Sequence, residues 1–272
     1  MTGVLSKLHL SKSGYYNYLH RKPSKQSISK KERMQAIQTI YDDNHQIYGA
    51  PKIAKEMQKK GEKISQRTVG VYMREMGIKA CYIKPYVKTT FDSDFSTKLH
   101  NILKRDFSPS KPNEAWCTDI TYIFTLEGFV YLTSVMDLYS RKIIAWTLSR
   151  TLEVEEVLKC IEMARKRRQT SNPVIIHSDR GVHYTSKLYK KLTAGLILSY
   201  SKKGTPWDNA CIESFHSVIK REWLNRTLIY DYDHAYDLCF EYIETFYNTI
   251  RIHSHCGYES PNQYENNYYS KH

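Results

Sequence analysis

The sequence predicts an α/β fold in which helices flank a mixed sheet, with a small all-α domain in front of it. Three observations support this fold class. Residues 114–148 contain three consecutive strand-like segments joined by short turns, and from residue 153 onward helical and strand-like patterns alternate. Residues 30–79, in contrast, contain helical patterns alone. Antiparallel strands followed by alternating helices and strands are typical of a mixed α/β sheet.

The all-α part, residues 30–80, has the pattern of a helix-turn-helix-like DNA-binding domain. Its three predicted helices are Lys31–Asn44, Pro51–Lys60 and Gln66–Met76. Ser65 is a good N-cap for the third helix, which carries Arg67 and Arg74 on its polar side. Such a helix can enter a major groove, so we predict that both arginines contact DNA. The alternative is a small bundle whose basic residues only solubilise it.

Positive charge is concentrated in the first part of the chain. Residues 1–106 hold 21 basic and 9 acidic side chains, which accounts for +12 of the formal net charge of +13. Neutralising phosphates releases condensed counterions, so this charge indicates a polyanionic partner, with a solvated lysine-rich surface as the alternative. The predicted organisation is an N-terminal basic segment (1–29), the helix-turn-helix-like domain (30–80), a linker rich in breakers (81–112) and an α/β domain with a C-terminal helical extension (113–267).

The elements of the α/β domain follow from composition and turn residues. The predicted strands are Glu114–Phe124, Phe129–Asp137, Lys142–Leu148, Val174–Asp179 and Leu196–Tyr200. The predicted helices are Glu153–Arg168, Ser186–Ala194 and a long helix that contains Glu213. Tight turns join the first three strands into an antiparallel meander. The start of the Glu213 helix is indicated by Thr205-Pro206-Trp207-Asp208, a capping box with proline at its first position.

Three acidic residues, Asp119, Asp179 and Glu213, together indicate a metal site. Asp119 interrupts a strand-like run, where an acid is normally depleted, and Asp179 ends another strand. Mg²⁺ and Mn²⁺ prefer carboxylate oxygens, and two ions about 3.5–4 Å apart can support in-line displacement at phosphorus. Taken singly, each acid also has a structural explanation, as an edge-strand charge, a turn residue or a solvent-facing helix residue. Their joint placement favours the metal site.

Polar residues around the acids indicate contacts with a DNA backbone. Asn209, Glu213, Ser217 and Lys220 share one helix face at spacings of four, four and three. The donors around Asp179 are His177, Ser178, Arg180 and His183. We predict that Lys220, Arg180 and Asn209 contact DNA, with Lys220 holding a phosphate beside the metal ions. Neither a Gly-x-Ser-x-Gly elbow nor a phosphate-binding glycine loop is present in the sequence, which excludes the main competing mechanisms.

Cysteine usage and hydropathy indicate a cytoplasmic protein. The six cysteines are scattered without a Cys-x-x-Cys pair, which is typical of a reduced intracellular chain. The sequence contains no run approaching the roughly 18 consecutive apolar residues of a membrane span, and its N-terminus lacks the apolar core of a signal peptide.

Several motifs resemble those of bacterial insertion-sequence transposases with a retroviral-integrase-like catalytic core. They are Trp116-Cys117-Thr118-Asp119-Ile120-Thr121-Tyr122, His177-Ser178-Asp179-Arg180-Gly181, Lys203-Gly204-Thr205-Pro206-Trp207-Asp208-Asn209-Ala210-x-x-Glu213-Ser214-Phe215 and Tyr247-Asn248-x-x-Arg251-x-His253. The resemblance covers nearly the whole chain. It implies a ribonuclease H-like fold, two-metal phosphoryl transfer and Asp119, Asp179 and Glu213 as the metal-binding triad. It also implies element ends and target DNA as partners, bound by a homo-oligomer in the bacterial nucleoid.

The sequence departs from the family pattern in two respects. Between Asp179 and Glu213 lie 33 residues, somewhat fewer than is common in this family, and the shortening falls within Lys190–Ser201. We expect it to lie between a helix and a strand, where it is tolerated. In this family an upstream reading frame often supplies a further helix-turn-helix and a zipper, and nothing of that kind precedes Met1. The resemblance therefore leaves open that the chain is only the catalytic portion.

The leading hypothesis is a transposase that cleaves and joins DNA strands with its acidic triad. One alternative is a DNA-binding regulator that occupies element ends without cutting them. Another is a ribonuclease H-like nuclease acting on RNA–DNA hybrids. DNA binding without metal ions and without strand cleavage would identify the regulator. Cleavage of an RNA–DNA hybrid would identify the nuclease.

Overall fold

A computed structural model describes residues 7, 11–20, 22–81, 99–170, 172–202 and 205–272. The chain forms two compact units, Met1–Ala80 and Cys81–His272. Residues 82–98 of the predicted linker, and Lys203-Gly204 of the third motif, lie outside the described residues. Within the described ranges, none of the helices is long and apolar enough to cross a membrane.

The regular structure described in the first unit is helical. Its helices are α1 (Lys12–Leu19), α2 (Lys25–Asp43), α3 (Ala50–Lys59) and α4 (Gln66–Glu75). The three predicted helices are present, but α2 begins at Lys25 instead of Lys31. The reason is a cap: the Ser24 hydroxyl accepts a hydrogen bond of 3.1 Å from the backbone N–H of Ser27. Helix α1 and the first turns of α2 therefore lie within the predicted N-terminal basic segment.

Helix α4 is amphipathic in the way that its sequence predicts. Val69 and Met73 are buried, whereas Arg67 and Arg74 are exposed. The Ser65 hydroxyl accepts a 3.1 Å hydrogen bond from the Thr68 N–H, which satisfies one of the unpaired donors at the helix start. The apolar side of α4 thus packs inside the unit, and its two arginines are accessible from solvent.

The second unit is built on the mixed sheet that the sequence predicts. Its strands are β1 (Ala115–Thr125), β2 (Gly128–Asp137), β3 (Ile143–Ser149), β4 (Ile175–Ser178) and β5 (Ile197–Tyr200). Their order across the sheet is β3-β2-β1-β4-β5. The β1–β2 and β2–β3 pairs are antiparallel, and the β1–β4 and β4–β5 pairs are parallel. The predicted meander is confirmed, and a crossover makes β1 and β4 neighbours.

Helices pack around this sheet. They are α5 (Val154–Arg168), α6 (Val182–Thr185), α7 (Lys187–Leu192), α8 (Ala210–Glu222), α9 (Tyr232–Phe240), which continues as a π-helix over Glu241–Tyr247, and α10 (Pro261–Tyr269). The core between α5 and the sheet contains Ile161 from the helix and Trp116 and Val135 from the strands. The short helix α6, which the sequence does not predict, begins just after the turn that follows Asp179.

The end of the predicted linker is packed against the sheet. Leu99 and Leu103 are buried. The Ser199 hydroxyl accepts a 3.0 Å hydrogen bond from the Leu103 N–H, and the His100 carbonyl accepts one of 3.0 Å from the Tyr200 N–H. These bonds cover an edge of β5 whose backbone groups need partners. Residues 99–103, which the sequence analysis places in the linker, therefore pack within the second unit.

Two buried ion pairs fix the C-terminal part of the second unit. Glu222 at the end of α8 accepts two hydrogen bonds of 2.7 Å from the Arg251 guanidinium and another of 2.7 Å from the Tyr242 hydroxyl. Glu265 in α10 accepts bonds of 2.7 and 2.9 Å from Arg168 at the end of α5. Bidentate pairs of this kind have a defined geometry as well as a favourable energy. They fix α8 and α10 in position on the unit.

Candidate active site

Asp119 and Asp179 lie on neighbouring strands. The parallel pairing of β1 with β4 aligns Cys117 with His177. Two residues further along each chain segment, this register brings Asp119 beside Asp179, which directly follows β4. Paired strands are about 4.8 Å apart, so two acids that are distant in the sequence share one end of the sheet. The Asp119 side chain is 19% exposed, and Asp179 is exposed.

The turn after β4 holds the Asp179 carboxylate. Its Oδ1 atom accepts a hydrogen bond of 2.9 Å from the Gly181 N–H. A Cβ atom added at Gly181 would lie 3.0 Å from the same oxygen, closer than side chains normally approach. Glycine at this position therefore allows the carboxylate to fold back onto the backbone.

The family resemblance implies that Asp179 is a metal ligand for strand transfer; on that expectation, substituting Gly181 with alanine should lower strand transfer about tenfold, because the added methyl group displaces the Asp179 carboxylate by a few tenths of an ångström. The urea concentration at half-unfolding should hardly change, since the turn is at the surface. Strand-transfer rates and urea unfolding curves of the variant and the wild type measure both effects. A wild-type transfer rate would show that the close contact does not fix the carboxylate.

Two contacts place the first half of α8 against β1. Asn209, directly before the helix, donates a 3.3 Å hydrogen bond from Nδ2 to the Thr118 carbonyl. The Nδ1 atom of His216 lies 3.4 Å from Oδ2 of Asp119. Glu213 is four residues after Asn209 and three before His216, which is the spacing of one helix face. Glu213, which is exposed, is thus carried on the face of α8 that meets the Asp119 strand.

His216 is a site residue that sequence reasoning misses. Its buried ring lies between Asp119 and Ser134, which are paired across the β1–β2 ladder. The Nε2 atom is 3.3 Å from the Ser134 hydroxyl. The ring therefore links one predicted metal ligand to the adjacent strand. Its only local signal is its position three residues after Glu213 on the same helix face.

The start of α8 differs from the predicted capping box. Residues Pro206–Asn209 form a 3-10 turn, and Thr205 makes no side-chain cap. Its hydroxyl instead donates a 3.0 Å hydrogen bond to the buried Asp208 carboxylate. Asp208 also accepts bonds from the Lys202 N–H at 2.8 Å and from Nε of Arg105 at 2.5 Å. A buried carboxylate needs such partners, and here they anchor the turn that leads into the Glu213 helix.

A buried tyrosine lies behind the two aspartates. The Tyr184 hydroxyl is 3.4 Å from the Thr118 hydroxyl. Burial raises the pKa of Tyr184 well above its ordinary value, and the charges of Asp119 and Asp179 raise it further. The hydroxyl therefore keeps its proton close to both carboxylates. Sequence reasoning misses this residue because a tyrosine after a turn carries no local signal.

Lys220 approaches the site from the second half of α8. Its Nζ atom lies 4.2 Å from the centroid of the Tyr122 ring on β1. Burial lowers the pKa of Lys220, and the negative charge of Asp119 opposes this shift. The Lys220 ammonium group is thus held over an aromatic face, where the charge of Asp119 acts on it.

Two residues that the sequence predicts as DNA contacts, Asn209 and Arg180, make hydrogen bonds within the second unit. Asn209 is buried. The Arg180 guanidinium donates from Nε to the Ser201 carbonyl at 2.8 Å and from Nη2 to the Leu99 carbonyl at 3.2 Å. His177, one of the predicted donors, is buried between two serine hydroxyls, and burial lowers its pKa to about 4. Asn209 and Arg180 thus bind backbone carbonyls near the acids, whereas His177 binds side-chain hydroxyls, and their polar character in the sequence did not reveal these partners.

The donor set suits a hard divalent cation, although the three carboxylates do not close around one point. In the described part of the chain, no group of three or more histidine, cysteine, aspartate and glutamate side chains could hold a metal ion as placed. Asp119 and Asp179 share one end of the sheet, while Glu213 is exposed on α8. Carboxylate oxygens are the ligands that Mg²⁺ and Mn²⁺ prefer, so the chemistry of the residues fits these ions.

Comparison with protein families defines the class of both units. A model described as an integrase core domain matches residues 109–206, and a second integrase core domain model matches residues 194–261. A model described as an HTH-like domain matches residues 29–86. The chain therefore combines an integrase core with a helix-turn-helix-like domain, as the sequence predicts.

Known relatives define the family. The transposase for insertion sequence element IS904 of Lactococcus lactis subsp. lactis (strain IL1403) is 34% identical over 249 residues, covering 91% of this chain and 98% of the relative. Transposase InsF for insertion sequence IS3A of Escherichia coli (strain K12) is 33% identical over 266 residues, covering 95% and 91%. The chain belongs to the IS3-family insertion-sequence transposases, and its function is DNA transposition.

Among solved structures, the chain is similar to the catalytic core domain of HTLV-2 integrase in complex with magnesium. It shares 16% sequence identity with this chain at a TM-score of 0.44 and covers 57% of this chain and 98% of that chain.

Proposed function

We propose that Asp119, Asp179 and Glu213 hold two Mg²⁺ or Mn²⁺ ions, and that this site cleaves the DNA strand at the element end and joins it to target DNA. The observation that carries the proposal is the β1–β4 register, which brings the first two acids to one end of the sheet. The face of α8 supplies the third acid. A glutamate side chain has enough rotatable bonds for Glu213 to turn towards the aspartates when the ions bind.

The protein residues orient the reacting groups. When bound, the metal ions activate the attacking oxygen and stabilise charge on the leaving oxygen. His216 and the Gly181 N–H orient the carboxylates of Asp119 and Asp179. In the joining step, a phosphorus–oxygen bond to the attacking 3′-hydroxyl forms as another breaks, so one phosphodiester replaces another. The reaction therefore needs neither a protein nucleophile nor an external energy source.

DNA binding is assigned to α4 of the first unit and to Lys220 of the second. Arg67 and Arg74 are exposed on α4, and this helix is the second of the two that frame the turn of the helix-turn-helix-like domain. Two element ends must be joined to one target, so we expect a homo-oligomer on DNA, acting in the cytoplasm at the nucleoid. Basic side chains at a protein–DNA interface mainly neutralise phosphates, and this makes the DNA-binding affinity depend on the salt concentration.

Substituting Arg67 with alanine is expected to weaken DNA binding and to reduce the slope of log affinity against log salt by about one, the effect of one phosphate contact. Fluorescence-anisotropy titrations of a labelled element end between low and moderate salt measure the slope. Lys166→Ala is the control, because Lys166 is exposed in the second unit and pairs with Glu162 at 2.8 Å. An unchanged slope for the Arg67 variant would contradict the assignment.

The proposed chemistry is tested by strand transfer with the full chain and oligonucleotides that carry the element's own ends. We expect joined products with Mg²⁺ or Mn²⁺ and none after chelation by EDTA. Tight DNA binding without products under any metal condition would instead favour a catalytically silent regulator. An RNA–DNA hybrid is included in parallel, and preferential cleavage of that hybrid would favour a ribonuclease H-like nuclease.

A further inference from the structure

Three aromatic rings are exposed together at the free end of the β1–β2 hairpin. They are Tyr122 and Phe124 on β1 and Phe129 on β2, with 59%, 62% and 52% of their surfaces exposed. We call them the hairpin rings. Phe129 contacts both of the others edge to face, with ring centroids 5.5 Å from Tyr122 and 5.6 Å from Phe124. The three rings thus form one continuous aromatic surface.

The hairpin rings lie on one side of the sheet, where more than half of the surface of each ring is exposed. Tyr122 and Phe124 alternate along β1 with Ile123 and Thr125, which are buried. Phe129 is the cross-strand partner of Phe124 and so extends the same face. A contiguous exposed apolar patch on a folded unit is typical of an interaction surface.

Both elements that carry triad acids pass this surface. Along β1, Tyr122 follows Asp119 by three residues, which is about 10 Å of strand, and this odd spacing places the two side chains on opposite faces of the strand. Along α8, Lys220 follows Glu213 by seven residues, which is about 10 Å of helix. The two elements meet at the hairpin rings, where Nζ of Lys220 lies 4.2 Å from the Tyr122 centroid. A DNA strand with a phosphate at the acids that follows α8 to Lys220 would reach the Tyr122 ring within about three nucleotides, at 3.4 Å per nucleotide.

The chemistry of this surface fits unpaired bases. Aromatic faces bind nucleobases by stacking, which is possible only for a base whose own faces are free. The Lys220 ammonium group complements the phosphates of the same strand. We propose that the hairpin rings are a stacking platform for unpaired bases of the DNA strand next to the reacting phosphate. This inference rests on the proposed function, because it takes the acids as the place of that phosphate.

The platform is tested by removing bases from the DNA. The full chain is titrated with a duplex of the element end that carries a three-nucleotide single-stranded overhang, and with the same duplex whose overhang is abasic. We expect the wild type to bind the base-bearing overhang at least about tenfold more tightly. The double substitution Phe124→Ala and Phe129→Ala should remove this preference. Phe240→Ala is the control, because Phe240 is an exposed phenylalanine of α9, and the preference should persist in it.

A second variant distinguishes base stacking on the rings from a loss of folding and from apolar contact that needs no ring face. Phe124→Leu with Phe129→Leu keeps apolar side chains on the strands but removes the ring faces, so the preference should again be lost. Equal binding of both overhangs by the wild type would overturn the platform. Full preference for the base-bearing overhang in the leucine variant would also overturn it. A change of a ring variant from oligomer to monomer in sedimentation would do the same, because it would assign the rings to contact between copies of the chain. Strand transfer measured on the same wild-type preparation separates the two proposals: transfer without base preference contradicts only the platform, and base preference without transfer contradicts only the proposed chemistry.

Discussion

Replacing Glu213 with glutamine is expected to reduce strand transfer at least about a thousandfold while DNA binding persists. Glutamine keeps the size of the side chain but removes the charge that a divalent cation requires. Metal ions contribute several kcal/mol of transition-state stabilisation at a phosphoryl centre, and each 1.4 kcal/mol corresponds to a factor of ten in rate. Because Glu213 is exposed, the fold should tolerate the change. Single-turnover transfer assays and gel-shift titrations measure the two effects.

Glu155→Gln is the matched control for this experiment. Glu155 is also an exposed glutamate on a helix of the second unit, and it lies on α5, which does not carry a predicted metal ligand. Its variant should transfer strands at the wild-type rate. A Glu213→Gln chain that retains transfer within tenfold of wild type would remove Glu213 from the triad.

Replacing Glu222 with glutamine is expected to lower the free energy of unfolding of the second unit by about 3–5 kcal/mol. The change leaves the buried Arg251 guanidinium without its charged partner and weakens the bond from the Tyr242 hydroxyl. Urea unfolding followed by tryptophan fluorescence measures the loss. All four tryptophans of the chain lie between residues 116 and 223, so this signal reports on the second unit.

Glu162→Gln provides the comparison for a pair at the surface. Glu162 and Lys166 are largely exposed in α5, so breaking their ion pair should cost less than about 1 kcal/mol. Adding Arg251→Met to Glu222→Gln should recover part of the lost stability, since it removes the uncompensated charge. If the Glu222 variant unfolded at the wild-type urea concentration, the buried pair would not be what holds the end of α8.

The sheet could be predicted because its signals are local. In the strands of the meander, apolar and polar residues alternate, or apolar residues are continuous, between turn residues. Each observed strand begins and ends within about two residues of its prediction. The acids Asp119 and Asp179 could be singled out for the same reason, since an acid within or at the end of an apolar strand is conspicuous. Family motifs then supplied Glu213, whose helix position alone is ordinary.

Residues that act through distant partners could not be predicted. The role of His216 depends on Ser134 and Asp119, which lie on two other elements. The sequence predicts Asp208 as a capping residue. In the structure its carboxylate also accepts a hydrogen bond from Arg105, which comes from the predicted linker. Arg180 is predicted as a DNA contact because arginine beside an acid is typical of phosphate sites, and the sequence does not show that its Nε and Nη2 atoms donate to backbone carbonyls. In each case the deciding interaction joins segments far apart in sequence, where composition and spacing give no information.

The most direct test of the acidic triad is a crystal structure of the chain with a DNA element end and Mn²⁺, with anomalous diffraction used to locate the metal. We expect two Mn²⁺ peaks enclosed by the carboxylates of Asp119, Asp179 and Glu213, and their loss in a Glu213→Gln crystal. Peaks coordinated by other residues, or unchanged peaks in the variant, would contradict a two-metal site built from these three acids.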